Sequence, residues 1–217
     1  LFEKNAKIGG LLRYGIPDFK MEKHLIDRRH VQMEQEGVII RTNTHIGIDI
    51  TADEIDREFD AIVLSGGSEV PRDLPVPGRE FDGVHYAMDF LTQQNRRVSG
   101  EDLGSIKNIY AKDKNVVVIG GGDTGSDCVG TSFRQGAKSV NQLEIMARPP
   151  ERENKSLTWP DWPMKLRTST SHKEGASRDF SITTKNFLDS EGTVNGINTI
   201  GVDWKLNDNG QLEMIEI

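Results

Sequence analysis

The sequence predicts an α/β fold built on a parallel sheet, and three observations lead to that prediction. Helical patterns at residues 22–36 and 51–59 alternate with apolar runs at 38–40 and 60–65. A further apolar run at 115–119 is followed by a glycine-rich turn and another helical pattern. The 217 residues are 35% hydrophobic and 28% charged, a composition typical of a globular chain that buries a core. Alternation of this kind predicts a parallel sheet covered by helices on both faces.

The first seventy residues carry clear signals for where elements begin and end. Leu1–Glu3 is predicted to be the end of a strand, so we expect the sequence to be a piece of a longer protein. The helix at 22–36 has Gly37 as its stop signal. The helix at 51–59 opens with Thr51 and Glu54 at the spacing of a capping box. These elements precede the strand predicted at 60–65.

A second domain is predicted from a change in composition. Three prolines fall within residues 71–78, which favours a connection between a domain at 1–72 and a domain at 73–217. A return of the C-terminal end toward the first domain is left open. Residues 147–178 show little periodicity. The remaining predicted elements are a helix at 86–98, a strand at 115–119, a helix at 127–135, a strand at 140–146, antiparallel strands at 181–188 and 193–206 around a turn at 190–192, and a last strand near 217.

Composition excludes several classes of function. Lys and Arg number 27 against 34 Asp and Glu, a net charge of −7, which argues against a nucleic-acid-coating surface. No apolar run reaches the roughly 20 residues of a membrane helix, so we expect a soluble, cytoplasmic protein without a membrane partner. The single cysteine, Cys128, cannot hold a disulfide or an iron–sulfur cluster alone. It is either a thiol activated by a helix N-terminus or, more simply, a small packed residue. The five histidines lack metal-ligand spacing and are predicted to lie on the surface or at caps, so no metal site is predicted.

The motif that carries chemistry follows the apolar run at 115–119. It has the pattern G-x-G-x-x-G within a strand–turn–helix–strand unit, which is the fingerprint of a Rossmann-like dinucleotide site. Gly120 permits the tight turn, Gly122 lets a pyrophosphate approach the helix N-terminus, and Gly125 lets helix and strand pack closely. The helix dipole adds about 0.3–1 kcal/mol for an anion. The alternative is a glycine-rich turn without a ligand. The predicted nicotinamide-nucleotide residues of this turn are Gly120, Gly121, Gly122, Asp123, Thr124 and Gly125.

The residues after the second strand bear on which nucleotide binds. Glu144 has about the spacing of an acid that binds a ribose 2′-OH, but it lies inside the predicted strand. Arg148 and Arg152 follow that strand, and a guanidinium can bind a 2′-phosphate in a fork geometry. We therefore expect NADPH, with two solvated loop arginines as the alternative interpretation.

The beginning of the chain favours a second dinucleotide. If Leu1–Glu3 ends the second strand of another nucleotide-binding unit, Glu3 is placed to bind a ribose diol, and Gly9 and Gly10 lie in a loop near the same ligand. FAD with a nicotinamide nucleotide is the usual pair for hydride transfer. No nucleophile–base pair is evident, so no catalytic side chain is predicted. The cofactors carry this chemistry.

Five separated stretches of the sequence resemble the small (beta) subunit of NADPH-dependent glutamate synthase. They cover nearly the whole chain and lie at residues 9–20, 88–95, 120–128, 148–152 and 159–169. The resemblance implies a FAD domain interrupted by an inserted NADPH domain, both Rossmann-like, so that this chain would hold the NADPH domain and a remnant of the FAD domain. The FAD residues that the resemblance implies are Glu3, Gly9, Gly10, Leu12, Arg13, Ser65, Gly66 and Gly67.

The resemblance also implies an activity and a partner. The family's small subunit passes hydride from NADPH to FAD, and electrons continue through 4Fe-4S clusters outside this chain to a large (alpha) subunit that forms glutamate. The family's first FAD glycine motif, its cysteine-rich region and its C-terminal FAD segment lie outside residues 1–217, so we expect the isolated chain to be inactive. Two alternatives stay open: a non-catalytic nucleotide-binding or partner-docking module, and a related reductase that feeds another acceptor.

Overall fold

The structure is a computed structural model that describes residues 1–207 and 209–217. Over these residues the chain divides into two compact units. The first unit comprises Leu1–Arg72 and Leu91–Ile106, and the second comprises Asp73–Phe90 and Lys107–Ile217.

Three helices form in the first seventy residues, α1 (Gly10–Tyr14), α2 (His24–Gln35) and α3 (Ala52–Glu58). The predictions of α2 and α3 are confirmed. The capping box of α3 is complete, since Thr51 Oγ1 accepts from Glu54 N at 3.3 Å and Glu54 Oε2 accepts from Thr51 N at 2.9 Å. The hydrogen bonds from the Thr51 backbone and side chain hold the pKa of the Glu54 carboxyl below its ordinary value.

Two strands predicted in this unit are absent from the structure. Residues 38–40 and 60–65 are coil, and the predicted strand end at Leu1–Glu3 is reduced to a single parallel bridge between Phe2 and Arg41. A strand requires a neighbour that supplies backbone hydrogen bonds, and the run at 60–65 has none among the described residues. Its side chains are accordingly exposed, Val63 at 87% and Leu64 at 93%.

The core of the first unit is small and combines apolar side chains with a few buried polar ones. Tyr14, Ile26, Ile55 and Leu91 are buried. Leu91 belongs to helix α4 (Ala87–Val98), which confirms the helix predicted at 86–98. In the same unit Asn95 Nδ2 donates to the Tyr14 carbonyl at 2.9 Å, which gives a partner to a buried carbonyl at the C-terminal end of α1.

A three-stranded parallel sheet organises the second unit. Its strands lie in the order β1 (Asn115–Ile119), β2 (Ser139–Leu143), β3 (Ser177–Asp179). Helix α5 (Asp123–Arg134) connects β1 to β2, so the predicted strand–turn–helix–strand unit is confirmed. The helix begins at Asp123 rather than at residue 127, and β2 ends at Leu143 rather than at residue 146.

Helix α5 covers one face of this sheet. Val118, Val129 and Val140 are buried between helix and strands. Val117 and Ile119 point to the opposite face and are 42% and 44% exposed. The alternation predicted a sheet covered on both faces, and among the described residues the face that carries Val117 and Ile119 stays partly exposed.

The region after β2 contains short elements that periodicity did not reveal. Residues 147–178 show little periodicity in the sequence, and the structure places there α6 (Lys155–Thr158), a 3₁₀ turn (His172–Glu174) and the beginning of β3. Elements of three or four residues are too short to show a period.

The C-terminal residues form a second, antiparallel sheet from β4 (Ile182–Ser190), β5 (Thr193–Leu206) and β6 (Leu212–Glu216). The predicted hairpin and last strand are confirmed. Glu191 and Gly192 have φ of 54° and 79°, the left-handed pair that a two-residue hairpin turn requires.

Candidate nucleotide site

The glycine-rich turn lies between the end of β1 and the start of α5, exposed at the carboxyl edge of the parallel sheet. Gly120 has φ of +117°, a conformation that favours glycine, and its amide donates to Leu143 O at 2.9 Å. Gly122 is the N-cap of α5 and is extended. The amide of Ser126 makes the first bond of the helix, to Gly122 O at 3.0 Å. The amides of residues 123–125 therefore precede the first helical hydrogen bond.

The glycines of the turn are explained by what a side chain would meet. A Cβ on Gly125 would overlap the Gly120 carbonyl oxygen and approach Gln142 Nε2 to 2.8 Å. A Cβ on Gly121 would overlap the Glu144 carboxylate. A Cβ on Gly122 would meet no atom within 4 Å, so this position borders open space. Gly125 is thus required by the backbone of the protein itself, a side chain at Gly121 would have to displace the Glu144 carboxylate, and Gly122 leaves room for a group outside the protein.

This arrangement fits a diphosphate. The turn is exposed from Gly120 to Thr124, the N-terminus of α5 supplies amides and a favourable dipole, and Gly122 leaves the approach open. A bound group with negative charge would meet backbone donors rather than side chains. Asp123, which the sequence also placed here, is exposed in the first turn of the helix.

A chain of hydrogen bonds, made mainly by side chains, connects the glycine-rich turn to the first turns of α5. Gln142, which is fully buried, donates from Nε2 to Gly120 O at 2.8 Å, and its Oε1 lies 2.7 Å from His172 Nε2. His172 Nδ1 accepts from Ser169 N at 3.1 Å. Ser169 Oγ lies 2.6 Å from Ser126 Oγ, in the first turns of α5. These roles assign His172 as the neutral tautomer with its proton on Nε2, because Gln142 Oε1 can only accept.

These hydrogen bonds were not predicted from the sequence, and the prediction for His172 was wrong. His172 was expected on the surface or at a cap, but it is 8% exposed. Gln142 lies 30 residues away in sequence and its bond to His172 has no local pattern. The Ser and Thr residues just before His172 are the only available hint, since such residues often bond nearby backbone.

The two arginines predicted at the 2′-phosphate lie where the sequence placed them, after β2. The Arg148 side chain is 61% exposed and pairs with Glu151 at 2.8 Å. Its guanidinium carbon is 5.9 Å from the centre of the Phe180 ring. Arg152 is exposed in the same loop. Glu144 directly follows β2 and pairs with Arg178 of β3, a residue that sequence reasoning did not single out.

The residues predicted around FAD lie in the first unit. Gly9 and Gly10 have φ of +117° and +46° at the start of α1, and Leu12 is 45% exposed. Arg13 is only 4% exposed. Its Nε donates to Ile8 O at 3.1 Å and its Nη2 pairs with Asp27 Oδ1 at 2.6 Å, so its guanidinium ties the glycine loop to α2.

The other residues predicted for FAD lie in segments that are neither helix nor strand. Glu3 Oε1 accepts from both Asn5 N and Asn5 Nδ2 at 2.8 Å, which fixes the carboxylate. Ser65, Gly66 and Gly67 are exposed coil, with Gly67 at φ of +71°.

Cys128 is a packed residue on the inner face of α5. Its side chain is buried, and desolvation, with a smaller effect from Asp127, raises the pKa of the thiol to about 12. Of the two interpretations that the sequence left open, the structure supports a small core residue.

Residues 1–207 and 209–217 contain neither a metal-binding cluster nor a membrane-spanning helix. No group of three or more His, Cys, Asp or Glu side chains there could hold a metal ion. No helix in that part of the chain has both the length and the apolar character needed to cross a membrane.

Comparison with known proteins gives consistent findings. The profile of the family described as pyridine nucleotide-disulphide oxidoreductase matches residues 11–158. A relative from Mycobacterium tuberculosis named "Glutamate synthase [NADPH] small chain" is 50% identical over 200 residues, which are 91% of this chain and 41% of the relative. The Bacillus subtilis protein of the same name is 42% identical over 225 residues, which are 100% of this chain and 45% of the relative.

A longer relative and a solved structure complete the comparison. The Schizosaccharomyces pombe protein named "Glutamate synthase [NADH]" is 42% identical over 226 residues, covering 100% of this chain and 11% of the relative. The solved structure of Mycobacterium tuberculosis FprA in complex with NADPH has a TM-score of 0.70 at 14% identity, and covers 99% of this chain and 59% of that one. That likeness concerns the fold. The chain spans less than half the length of these small chains.

Proposed function

The chain belongs to the pyridine nucleotide-disulphide oxidoreductase family, and from this we propose that it is part of the small subunit of an NADPH-dependent glutamate synthase. In that subunit it takes part in electron transfer from NADPH to FAD. The relatives at 42–50% identity that carry the small-chain name support this assignment.

The observation that carries the proposal is the geometry of the turn after β1. Gly122 borders open space, the amides of residues 123–125 precede the first bond of α5, and Gly125 allows helix and strand to approach closely. A turn that served packing alone would not need an open face at Gly122. The residues present therefore fit the diphosphate of a dinucleotide.

The residues of the chain bind and orient, and none is required as an acid or base. When bound, NADPH supplies a hydride and FAD accepts it. Residues Gly120–Gly125 would hold the NADPH diphosphate through backbone amides, and Arg148 and Arg152 would meet the ribose 2′-phosphate. Gly9, Gly10 and Leu12 would line the FAD.

Two more residues of the first unit take different parts in the FAD site. Glu3 would accept from the FAD ribose. Arg13, whose guanidinium is engaged with Asp27, would act by holding the loop at Gly9 in place.

The onward path of the electrons involves groups outside this chain. We propose that electrons leave the flavin through 4Fe-4S clusters in other parts of the protein, and reach a large subunit that forms glutamate. One cysteine cannot ligate such a cluster. Because residues 1–217 match less than half of each bacterial relative, we expect this chain alone to bind the nicotinamide nucleotide without turnover.

Anaerobic stopped-flow absorbance of the intact protein that carries this chain tests the proposal. Mixing with NADPH is expected to bleach the flavin band near its oxidised maximum, and supplying the large subunit with 2-oxoglutarate and glutamine is expected to yield glutamate. A flavin that stays oxidised would refute the enzyme assignment and favour a non-catalytic module. Bleaching without glutamate formation would instead indicate a reductase with another acceptor.

A further inference from the structure

A partly buried ion pair lies at the carboxyl end of β2. Glu144 Oε1 and Arg178 Nη2 are 2.6 Å apart, and the two side chains are 13% and 14% exposed. Arg178 is in the middle of β3, in register with Gln142. The backbone reinforces the pair, since Glu144 N donates to Asp179 O at 2.8 Å.

The Glu144 carboxylate lies directly against the nucleotide turn. A Cβ on Gly121 would overlap its carboxyl carbon and Oε2. In α/β sheets ligands bind outside the carboxyl ends of the strands, and an acid at the end of the second strand binds the ribose 2′-OH. An unpaired carboxylate at this place would repel a 2′-phosphate.

Arg178 neutralises the negative charge of Glu144 beside the glycine-rich turn. Its ion pair neutralises Glu144, and its Nη1 donates to Arg167 O at 2.9 Å. Its Nε is buried without a hydrogen-bond partner among the described residues. Its guanidinium carbon is 5.1 Å from the centre of the Phe180 ring, and that of Arg148 is 5.9 Å from the same centre. The guanidinium groups of Arg178 and Arg148 therefore lie near the same ring, the first paired with partly buried Glu144 and the second with exposed Glu151.

We propose that the Glu144–Arg178 pair determines the selectivity of the site for a 2′-phosphorylated ribose. Arg178 cancels the carboxylate that would otherwise select a ribose 2′-OH and repel a 2′-phosphate. The phosphate can then bind Arg148 by replacing Glu151 in an ion pair whose side chains are 61% and 74% exposed. The inference rests on the proposed nicotinamide-nucleotide function and assigns its specificity to a residue pair joined across β2 and β3.

Isothermal titration of the intact protein with 2′,5′-ADP and with 5′-AMP tests the inference, because these probes differ by the 2′-phosphate alone. The unchanged protein is expected to prefer 2′,5′-ADP. Arg178→Gln is expected to lower that preference by about tenfold or more, since it removes a charged partner and frees an anion. Adding Glu144→Gln to Arg178→Gln should restore part of the preference. Arg134→Gln is the matched control, because it breaks an ion pair with Glu174 at the far end of α5.

Each outcome has a distinct meaning. Equal loss of affinity for both probes in Arg178→Gln, or the same change of preference in Arg134→Gln, would overturn the inference and leave the nucleotide site intact. Binding of neither probe by the unchanged protein would overturn the proposed function itself. If circular dichroism shows that Arg178→Gln is unfolded, Glu144→Gln alone decides: the inference expects a stronger preference for 2′,5′-ADP, and an unchanged or weaker preference refutes it.

Discussion

Alanine at Gly125 should lower the free energy of unfolding, whereas alanine at Gly122 should leave the stability nearly unchanged and weaken nucleotide binding. At Gly125 a new Cβ would overlap the Gly120 carbonyl oxygen, which is backbone, and would lie 2.8 Å from Gln142 Nε2. Helix α5 would have to move away from β1, and overpacking of this kind costs about 1–3 kcal/mol of the free energy of unfolding. At Gly122 a Cβ meets nothing within 4 Å and the extended backbone suits any residue. Gly122→Ala should therefore change the stability by less than about 1 kcal/mol.

Gly122→Ala, which should hardly change the stability, should weaken nucleotide binding. The methyl group of Gly122→Ala would occupy the space through which a diphosphate approaches the amides of α5. Losing one hydrogen bond to a charged group costs about 1.5–3 kcal/mol, which is about a 10- to 150-fold increase in Kd. Urea denaturation followed by circular dichroism measures the stability, and titration with NADP⁺ measures the affinity. If Gly122→Ala folds and binds NADP⁺ as tightly as the unchanged protein, the turn does not hold the diphosphate.

Two further predictions follow from the buried side chains around the turn. Gln142→Leu should lower the free energy of unfolding by about 2–4 kcal/mol, because it leaves Gly120 O and His172 Nε2 without their partner. Asn141→Leu, at an exposed position of the same strand, is the control in the same urea titration. Equal midpoints for the two variants would contradict the hydrogen-bond chain. Cys128 should not react with Ellman's reagent at pH 8 until the protein unfolds, because burial raises the pKa of its thiol to about 12. Because the thiol pKa is raised from its ordinary 9.0 in the folded protein, the contribution of Cys128 to stability is complete below pH 9 and declines as the pH rises toward 12. Loss of this decline in Cys128→Ala would support the linkage, and an identical decline would refute it.

Local signals in the sequence determined much of the second unit. The strand at 115–119, the turn after it and a helix form in the predicted order, although α5 begins four residues earlier than predicted. The apolar run, the glycine spacing and the helical pattern lie within about twenty residues of one another. The hairpin of β4 and β5 follows from a turn whose residues adopt positive φ. In the first unit the capping box at Thr51 located the start of α3 to the residue.

Predictions that depended on distant partners were less successful. The run at 60–65 has the composition of a buried strand, but a strand exists only where a neighbour supplies hydrogen bonds, and none lies beside it in the described chain. The place of Arg13 near FAD, implied by the resemblance, stays a prediction, whereas its contacts with Ile8 and Asp27 could be seen only in the packed structure.

The sequence by itself determined the glycine-rich turn at which we propose that a diphosphate binds, because Gly120, Gly122 and Gly125 act on backbone within six residues of one another. The tertiary structure alone decided what surrounds that turn. Glu144 meets Arg178 across 34 residues, and Gln142 meets His172 across 30. Those distances are closed only by the parallel register of β2 against β3 and the loop before it, and no local pattern in the chain encodes that register.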